Sequence, residues 1–263
     1  MKCSVLYIIK RSLIAWEHSC RYIQHLIQRG FALNDDKITI GLNANITPFM
    51  QSSTVAAYVQ DTPKKVPGLS DLHRMTTILL GEGATEAAHI LVVGAGGGLE
   101  LLAMAQAQPD WRFTGVDPSP AMLDIARQTT ASYADRIELV TGKVDNAPHI
   151  LFDGATCLLT LHFLDRSERL HTLRQIRRRM KQGSQIVIAH HAAPDSNSLQ
   201  WLTRSTSFAA NPVNAASSAK TMAERLVLLS ASEEEALLRE AGFLEPSLFY
   251  AAFSFRGWVA IAG

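Results

Sequence analysis

The stretch "VVGAGGGLE", Val92 to Glu100, sets four glycines in five positions directly after an apolar run. Peptide bare of side chains lets a bound molecule come very close to the backbone. Nineteen positions beyond Gly98, Asp117 ends a second apolar run. A carboxylate at a strand end is acceptor-only and suits the two hydroxyls of a ribose. Met122, one turn into the following segment, is spaced to lie against a flat base, and "TGKVDN" would offer the edge of that base backbone groups at Lys143 and Val144. His162 in "TLHFL" has the chemistry to orient or deprotonate a second molecule, although a histidine that merely closes a strand end is the plainer reading. His190 and His191 are adjacent, and successive strand residues point to opposite faces, so they do not chelate one ion together. No metal site is expected.

The elements that would hold these residues alternate. "HILVV" (89–93) reads as a strand and "LELLAMAQAQ" (99–108) as a helix, followed by the strand "WRFTGVD" (111–117). "SPAMLDIARQ" opens with a Ser cap and Pro120 at the first helical position, where its missing N–H is harmless. "RIELVT" (136–141) and "ATCLLTL" (155–161) are the third and fourth strands. The segment 165–183 reads as a helix with Asp165 and Glu168 as capping box, a stripe of Leu170, Leu173, Ile176 and Met180, and Gly183 as its end. "SQIVIAH" (184–190) is a fifth strand. Upstream, a helix is expected from Ser70, capped by Ser/Asp, with Leu72, Met75, Ile78 and Leu79 on one face and Gly81 as terminator. Near the end, Ser232 and Glu235 are spaced as a capping box before "PSLFYAAFSF" and "WVAIA". Only Arg256-Gly257 separates those two strands, so they must be antiparallel. The expected architecture is α/β: a Rossmann-like, doubly wound, mostly parallel seven-stranded sheet with a C-terminal antiparallel hairpin, an N-terminal helical extension and a helical lid insert.

In such a sheet a ligand sits beyond the strand ends, beside the first strand-to-helix turn. A dinucleotide fingerprint requires glycine at its sixth position, and starting from Gly94 or Gly96 that position is Leu99 or Leu101. What fits is GxGxG, at Gly94, Gly96 and Gly98, the loop of class I methyltransferases that use S-adenosylmethionine. The expected cofactor residues are Gly94, Ala95, Gly96, Gly98, Asp117, Pro118, Met122, Lys143 and Val144, with Leu159 and Thr160 after the fourth strand.

From about Thr54 to the end the chain also resembles the carboxy-S-adenosylmethionine synthases of tRNA wobble-uridine modification. The likeness rests on "VPGLSDLHRM", "VDPSPAMLDIAR", "LTLHFLDRSERLHTLRQIRRRMKQGSQIVIAH" and "EEEALLREAGFLEPSLFYAAFSFRGWVAIA". It implies a carboxylated cofactor made from S-adenosylmethionine and prephenate, a link to the tRNA pathway and a homodimer through the inserted helices. The residues depart from that family where its special chemistry lies. Its carboxylate-gripping arginine falls on Ala210, six residues past Arg204, and alanine cannot form the bidentate pair. Its tyrosine after VPG is Leu69, its adenine-side acid Lys143 and its cofactor-side asparagine Leu158. Ordinary methyl transfer to a small-molecule acceptor is therefore the first expectation. Carboxyl-cofactor synthesis is second and a non-catalytic S-adenosylmethionine-binding protein third, with a nicotinamide oxidoreductase far behind.

Charge and composition fit these readings. The 263 residues carry 25 basic against 24 acidic side chains, a balance that argues against a broad nucleic-acid surface. Arg174, Arg177, Arg178, Arg179 and Lys181 flank an apolar stripe and read as a solvated helix face. Cys3, Cys20 and Cys157 are far apart, which suits a reduced, cytoplasmic protein. The apolar run near the start is broken by Lys10 and Arg11, so it is too short to span a bilayer and reads as an amphipathic helix. Residues 1–50 are taken as an extension, either an appendage or a read-through ahead of Met50, and 51–263 as the catalytic domain, with a lid at about 194–229.

Overall fold

In the computed structural model the described residues are Val55, 57–192, 197–209 and 214–263. They fall in one compact unit that runs from Asn43 to Gly263. The expectations for residues 1–50, and the position of Ala210, lie outside the described residues.

The sheet follows from the alternation of apolar runs and helical stripes. Helix α1 (Tyr58–Lys65) and α2 (Leu69–Gly83) precede β1 (His89–Val93). Then come α3 (Leu99–Ala107), β2 (Arg112–Asp117), α4 (Pro120–Thr129), β3 (Ile137–Thr141), β4 (Phe152–Leu158), α5 (Arg166–Arg178) and β5 (Met180–His191). Helices α6 (Ser198–Ala209), α7 (Ala215–Arg225) and α8 (Ala231–Glu240) lead into β6 (Phe243–Ala252) and β7 (Phe255–Ala262). The seven strands lie in the order β3-β2-β1-β4-β5-β7-β6, with β1 to β5 parallel and β7 antiparallel to both its neighbours. Both faces are covered, which is why β1 is apolar throughout. Ile90 and Val92 pack with Leu72, Leu80 and Leu101 on one side, while Leu91 and Val93 pack with Leu173, Ile176 and Trp258 on the other.

Several boundaries differ from the sequence expectation, each for a local reason. Helix α2 starts at Leu69 behind the left-handed Gly68, so neither Ser70 nor Asp71 caps it, and it runs past Gly81 to Gly83. Its buried side is Leu69, Leu72, His73, Thr76, Thr77 and Leu80, while Ile78 is exposed. Strand β4 lies three residues earlier than expected, because Leu159 adopts a left-handed φ of 55° and the chain turns into a short 3₁₀ segment at Leu161–Phe163. Helix α5 keeps its Asp165/Glu168 capping box but ends at Arg178. Met180 already pairs with Phe152 in the sheet, and Gly183 sits in the irregularity before Gln185 meets Gly154. Arg179 is buried rather than solvated, its guanidinium donating to the carbonyls of Gln175 (3.1 Å) and Asp145 (3.1 Å). The capping box of α8 is Ser230 and Glu233, two residues before the expected pair. The β6–β7 hairpin turns at Phe253-Ser254 instead of Arg256-Gly257, since Ala252 pairs with Phe255.

Candidate functional site

The strand ends and one facing helix create the site. A cavity of about 280 Å³ opens beyond the carboxyl ends of β1, β2 and β4, with α1 as its opposite wall. A second of about 240 Å³ adjoins it beside β3 and α5. Gly94, Pro118, Thr160 and Phe163 line both, so the two form one bent crevice.

The glycine loop is wired into the protein rather than left open to an anion. Gly94 and Ala95 both donate their N–H to the carbonyl of Val116, at 2.9 and 3.0 Å, and Gly98 donates to Ala95 at 3.0 Å. Gly96 donates to Asp117 Oδ2 at 2.9 Å. Four of the five N–H groups from Gly94 to Gly98 are thus spent internally, and a diphosphate would have to compete with those bonds. A cofactor without a diphosphate needs the bare backbone only for closeness. Gly94 and Gly96, both at positive φ, line the first cavity, and a side chain at Gly94 would collide with that of Thr160. Gly98 serves the fold instead, at φ 81° and with an added Cβ only 2.9 Å from the Cα of Ala126. Ala95 is buried with its methyl group packed toward Gly115.

Asp117 lines the first cavity with its carboxylate held by two backbone N–H groups. Its Oδ1 takes the N–H of Ser119 at 2.9 Å and its Oδ2 that of Gly96, which leaves each oxygen a further lone pair beside the cavity. Burial raises its pKa, opposed by those two N–H donors. Two vicinal ribose hydroxyls fit this carboxylate. Replacing Asp117 by alanine is expected to weaken adenosyl-ligand binding by an order of magnitude or more, through the lost charge-assisted bonds and the freed Gly96 N–H. Titration calorimetry checks this, and unchanged affinity would mean that the sugar lies elsewhere.

The other expected residues divide between the two cavities. Pro118, Met122 and Leu159 line the first, Lys143 and Val144 the second, and Thr160 both. The backbone N–H of Lys143 is engaged by Asn146 Oδ1 at 3.1 Å, and its ammonium lies 3.9 Å from Glu168. Sequence reasoning missed the whole of α1: Tyr58, Thr62 and Lys65 form the facing wall, in a helix whose internal Pro63 and polar run hide its role. It also missed Phe255, which reaches the cavity from β7.

His162 lines the first cavity at 5% exposure, and its Nδ1 has no hydrogen-bond partner. Burial holds its pKa well below the ordinary value, helped by the nearby His191, His190 and Arg169, so the ring is neutral at pH 7. It belongs to a row of rings: 4.1 Å from Phe163 and 5.1 Å from His191, which stacks on Phe255 at 3.9 Å. His191 Nδ1 shares a 2.8 Å hydrogen bond with Ser254 Oγ, which meets Ser205 Oγ of α6 at 2.6 Å. His190 turns away to Glu234, at 2.9 Å. Among the described residues no cluster of three metal-ligating side chains occurs.

The predicted lid supplies α6 and α7. Neither is among the residues lining the two cavities, and α6 touches the cavity wall through Ser205 and Ser254. Arg204 lies on the outer side of α6, its guanidinium 4.3 Å over the ring of Trp201. It lines a surface groove with Phe208 and Phe253 instead of the crevice.

One further carboxyl stands close by. Glu100, in the first turn of α3, is 7% exposed and burial pushes its pKa up to about 7. A carboxyl whose folded pKa exceeds its unfolded value favours folding fully below the unfolded pKa, and that advantage is lost as pH rises through the folded one. The ligand-free protein should therefore lose roughly 2–4 kcal/mol of stability between about pH 4.5 and 7, relative to a Glu100→Gln variant. Parallel urea titrations of the two proteins across that range check this; equal pH profiles would contradict it.

Residues 90–183 match the family described as a methyltransferase domain, and S-adenosylmethionine is the cofactor of that family. Among curated relatives, the carboxy-S-adenosyl-L-methionine synthase of Glaesserella parasuis is 24% identical over 81% of this chain and 93% of its own. The demethylmenaquinone methyltransferase of Symbiobacterium thermophilum is 34% identical over 43% of this chain and 46% of its own. A solved structure described as a putative O-methyltransferase from Nostoc punctiforme superposes with a TM-score of 0.63 at 18% identity, covering 85% of this chain and 64% of that one. The chain thus spans less than two thirds of the last two proteins. Among the described residues no helix is long and apolar enough to cross a membrane.

Proposed function

We propose that this protein transfers the methyl group of S-adenosylmethionine to a hydroxyl of a small, uncharged acceptor in the first cavity. The observation that carries the reading is the glycine loop, whose N–H groups are consumed by Val116, Ala95 and Asp117 while Asp117 keeps free lone pairs at the cavity. That arrangement suits an adenosyl sulfonium and not a dinucleotide. Gly94, Gly96, Asp117 and Pro118 would hold the ribose and methionyl side, and Met122, Lys143 and Val144 the adenine. The bound cofactor supplies an electrophilic methyl carbon whose sulfur leaves as a neutral thioether.

The chain's own part is to position the acceptor, exclude water and take a proton. The ring wall of Phe163, His162, His191 and Phe255 favours a flat, apolar body. The cavity interior offers an anionic acceptor no countercharge, since the lining lysine, Lys65, is exposed. A neutral imidazole with an unpartnered nitrogen matches a hydroxyl that becomes acidic as its oxygen gains the methyl group. The test is incubation with labelled S-adenosylmethionine and a panel of hydroxylated, amino and carboxylic acceptors. Label transfer to hydroxylated acceptors supports the reading, and transfer only to amines or acids contradicts it.

Carboxyl-cofactor synthesis in the tRNA pathway is a second reading, supported by the names of several curated relatives. Against it, no arginine lines either cavity among the described residues, and Arg204 lies in the outer groove. Mass spectrometry of the nucleoside formed from S-adenosylmethionine and prephenate separates the two by the added carboxyl. Tight cofactor binding without turnover of any acceptor would instead favour a sensor. A cytoplasmic location, inferred from cysteine usage, is part of the same proposal.

A further inference from the structure

A chain of hydrogen bonds runs from α6 into the wall of the first cavity. Ser205 of α6, Ser254 in the β6–β7 turn and His191 at the end of β5 are all buried. Ser205 Oγ accepts the backbone N–H of Ser254 at 3.2 Å, and the two hydroxyls meet at 2.6 Å. Ser254 Oγ then meets His191 Nδ1 at 2.8 Å. Phe255 stacks on the same imidazole, with 3.9 Å between centroids and 29° between planes, so the ring is held by its edge and by its face. In a ring that lines the cavity, Nε2 is the polar atom left without a partner among the described residues.

The direction of these bonds follows from satisfying each buried hydroxyl. In one arrangement Ser205 donates to Ser254, Ser254 donates to His191 Nδ1, and every hydrogen finds an acceptor. In the reverse arrangement Nδ1–H donates to Ser254 and Ser254 to Ser205, whose own hydrogen then has no acceptor among the described residues. Stranding a buried donor is costly, so the first arrangement prevails. Burial, helped by His190, pushes the His191 pKa down to about 3. The neutral ring therefore carries its single hydrogen on Nε2. A mere tie between α6 and the hairpin would account for the two serines. It would not account for a ring nitrogen left over at the cavity.

We infer that His191 is a specificity-determining residue that donates its Nε2–H to a second oxygen of the acceptor, so that the preferred acceptor is a flat hydroxylated ring carrying an ether or carbonyl oxygen close to the hydroxyl. This rests on the methyl-transfer reading above. His162 and His191 divide the work: one neutral ring takes the hydroxyl proton, the other gives a hydrogen bond. Their centroids are 5.1 Å apart, so both oxygens must lie on one edge of a small molecule. A methylene or an ammonium group in the second position would leave the Nε2–H unsatisfied, which is how a site built for a hydrogen bond rejects the analogue that lacks it. Ser205 and Ser254 are positioning residues, and through them the seating of α6 fixes which imidazole nitrogen bears the hydrogen.

Two readouts on the full chain test this. The first needs no acceptor: long-range proton–nitrogen correlation spectra at pH 7 should show His191 as the Nε2–H tautomer, and an Nδ1–H ring would overturn the inference. The second is calorimetric titration of the protein saturated with S-adenosylhomocysteine, using 2- and 3-methoxyphenol against 2- and 3-ethylphenol, pairs of one shape that differ by a single oxygen. The better methoxyphenol should bind about 5- to 30-fold more tightly than its ethyl counterpart. In His191→Phe that ratio should fall below about twofold, whereas His191→Gln, which keeps an N–H donor, should retain at least about threefold. The ratio is taken within each protein, so a general loosening of the cavity cancels. Equal affinities within both pairs, no binding by any of the four, or a preference that survives in His191→Phe would overturn the inference and leave the cofactor reading intact. Failure of the unaltered protein to bind S-adenosylhomocysteine would overturn that reading and this inference together.

Discussion

His162→Phe is expected to lower kcat by about 10²- to 10⁴-fold, the range of a lost positioned proton acceptor, while KM for S-adenosylmethionine changes little. Phenylalanine fills a similar volume in a wall already made of Phe163, His191 and Phe255, so the cavity keeps its shape. What disappears is the imidazole that can take a proton. His162→Gln separates two roles: it can still hydrogen-bond a hydroxyl, yet cannot act as base, so it should restore acceptor KM and not kcat. The pH dependence follows from the same burial. Because His162 is held well below its ordinary value, its neutral form persists through the weakly acid range, and its own titration should not limit the rate between pH 6 and 8. Steady-state kinetics on any acceptor found to take label checks both variants. Unaltered kcat in His162→Phe would return that residue to a merely structural part.

The second large effect lies beneath the site. Arg169 of α5 is fully buried and pairs with Glu234 of α8, while also donating to the carbonyls of Val227 and, at 3.1 Å, Leu164. Glu234 in turn meets His190 Nε2 at 2.9 Å, and its second oxygen has no partner. The network joins two helices to β5 immediately behind the ring wall. Arg169→Met removes the cation and strands a buried carboxylate, which should reduce stability by about 3–5 kcal/mol. Adding Glu234→Gln to Arg169→Met removes the stranded charge and should recover much of the loss, a coupling that urea denaturation of the four proteins of the cycle measures. A loss below about 1 kcal/mol in the single variant would mean that water reaches the pair.

How much of this could be read beforehand differs by element. Period and punctuation located β1, β2, α4 and the alternation that follows, because apolar strands covered on both faces and a Ser-Pro helix start are strong local signals. The GxGxG loop and Asp117 were legible for the same reason: both are local, and both need special backbone or a strand end. The misplaced elements are those where tertiary pairing overrode the local pattern. The apolar "LTL" beyond Leu158 looks like more strand but turns away at Leu159 toward the crevice. Met180 fits the stripe of α5 yet is drawn into the sheet by Phe152. Helix α1 was invisible as a site wall because Pro63 and two lysines mask its pattern. Glu100 was quoted within the motif without a role, since nothing in a sequence tells a buried carboxyl from an exposed one two residues after a glycine.

The central claim is that the crevice beyond Asp117 accepts an adenosyl sulfonium and rejects a diphosphate. Titration of the full chain with S-adenosylhomocysteine and, separately, with NAD tests it most directly. Saturable one-to-one binding of S-adenosylhomocysteine that Asp117→Ala weakens at least tenfold, with no heat from NAD, is the predicted result. Binding of NAD in its place, or S-adenosylhomocysteine affinity indifferent to Asp117, would contradict it.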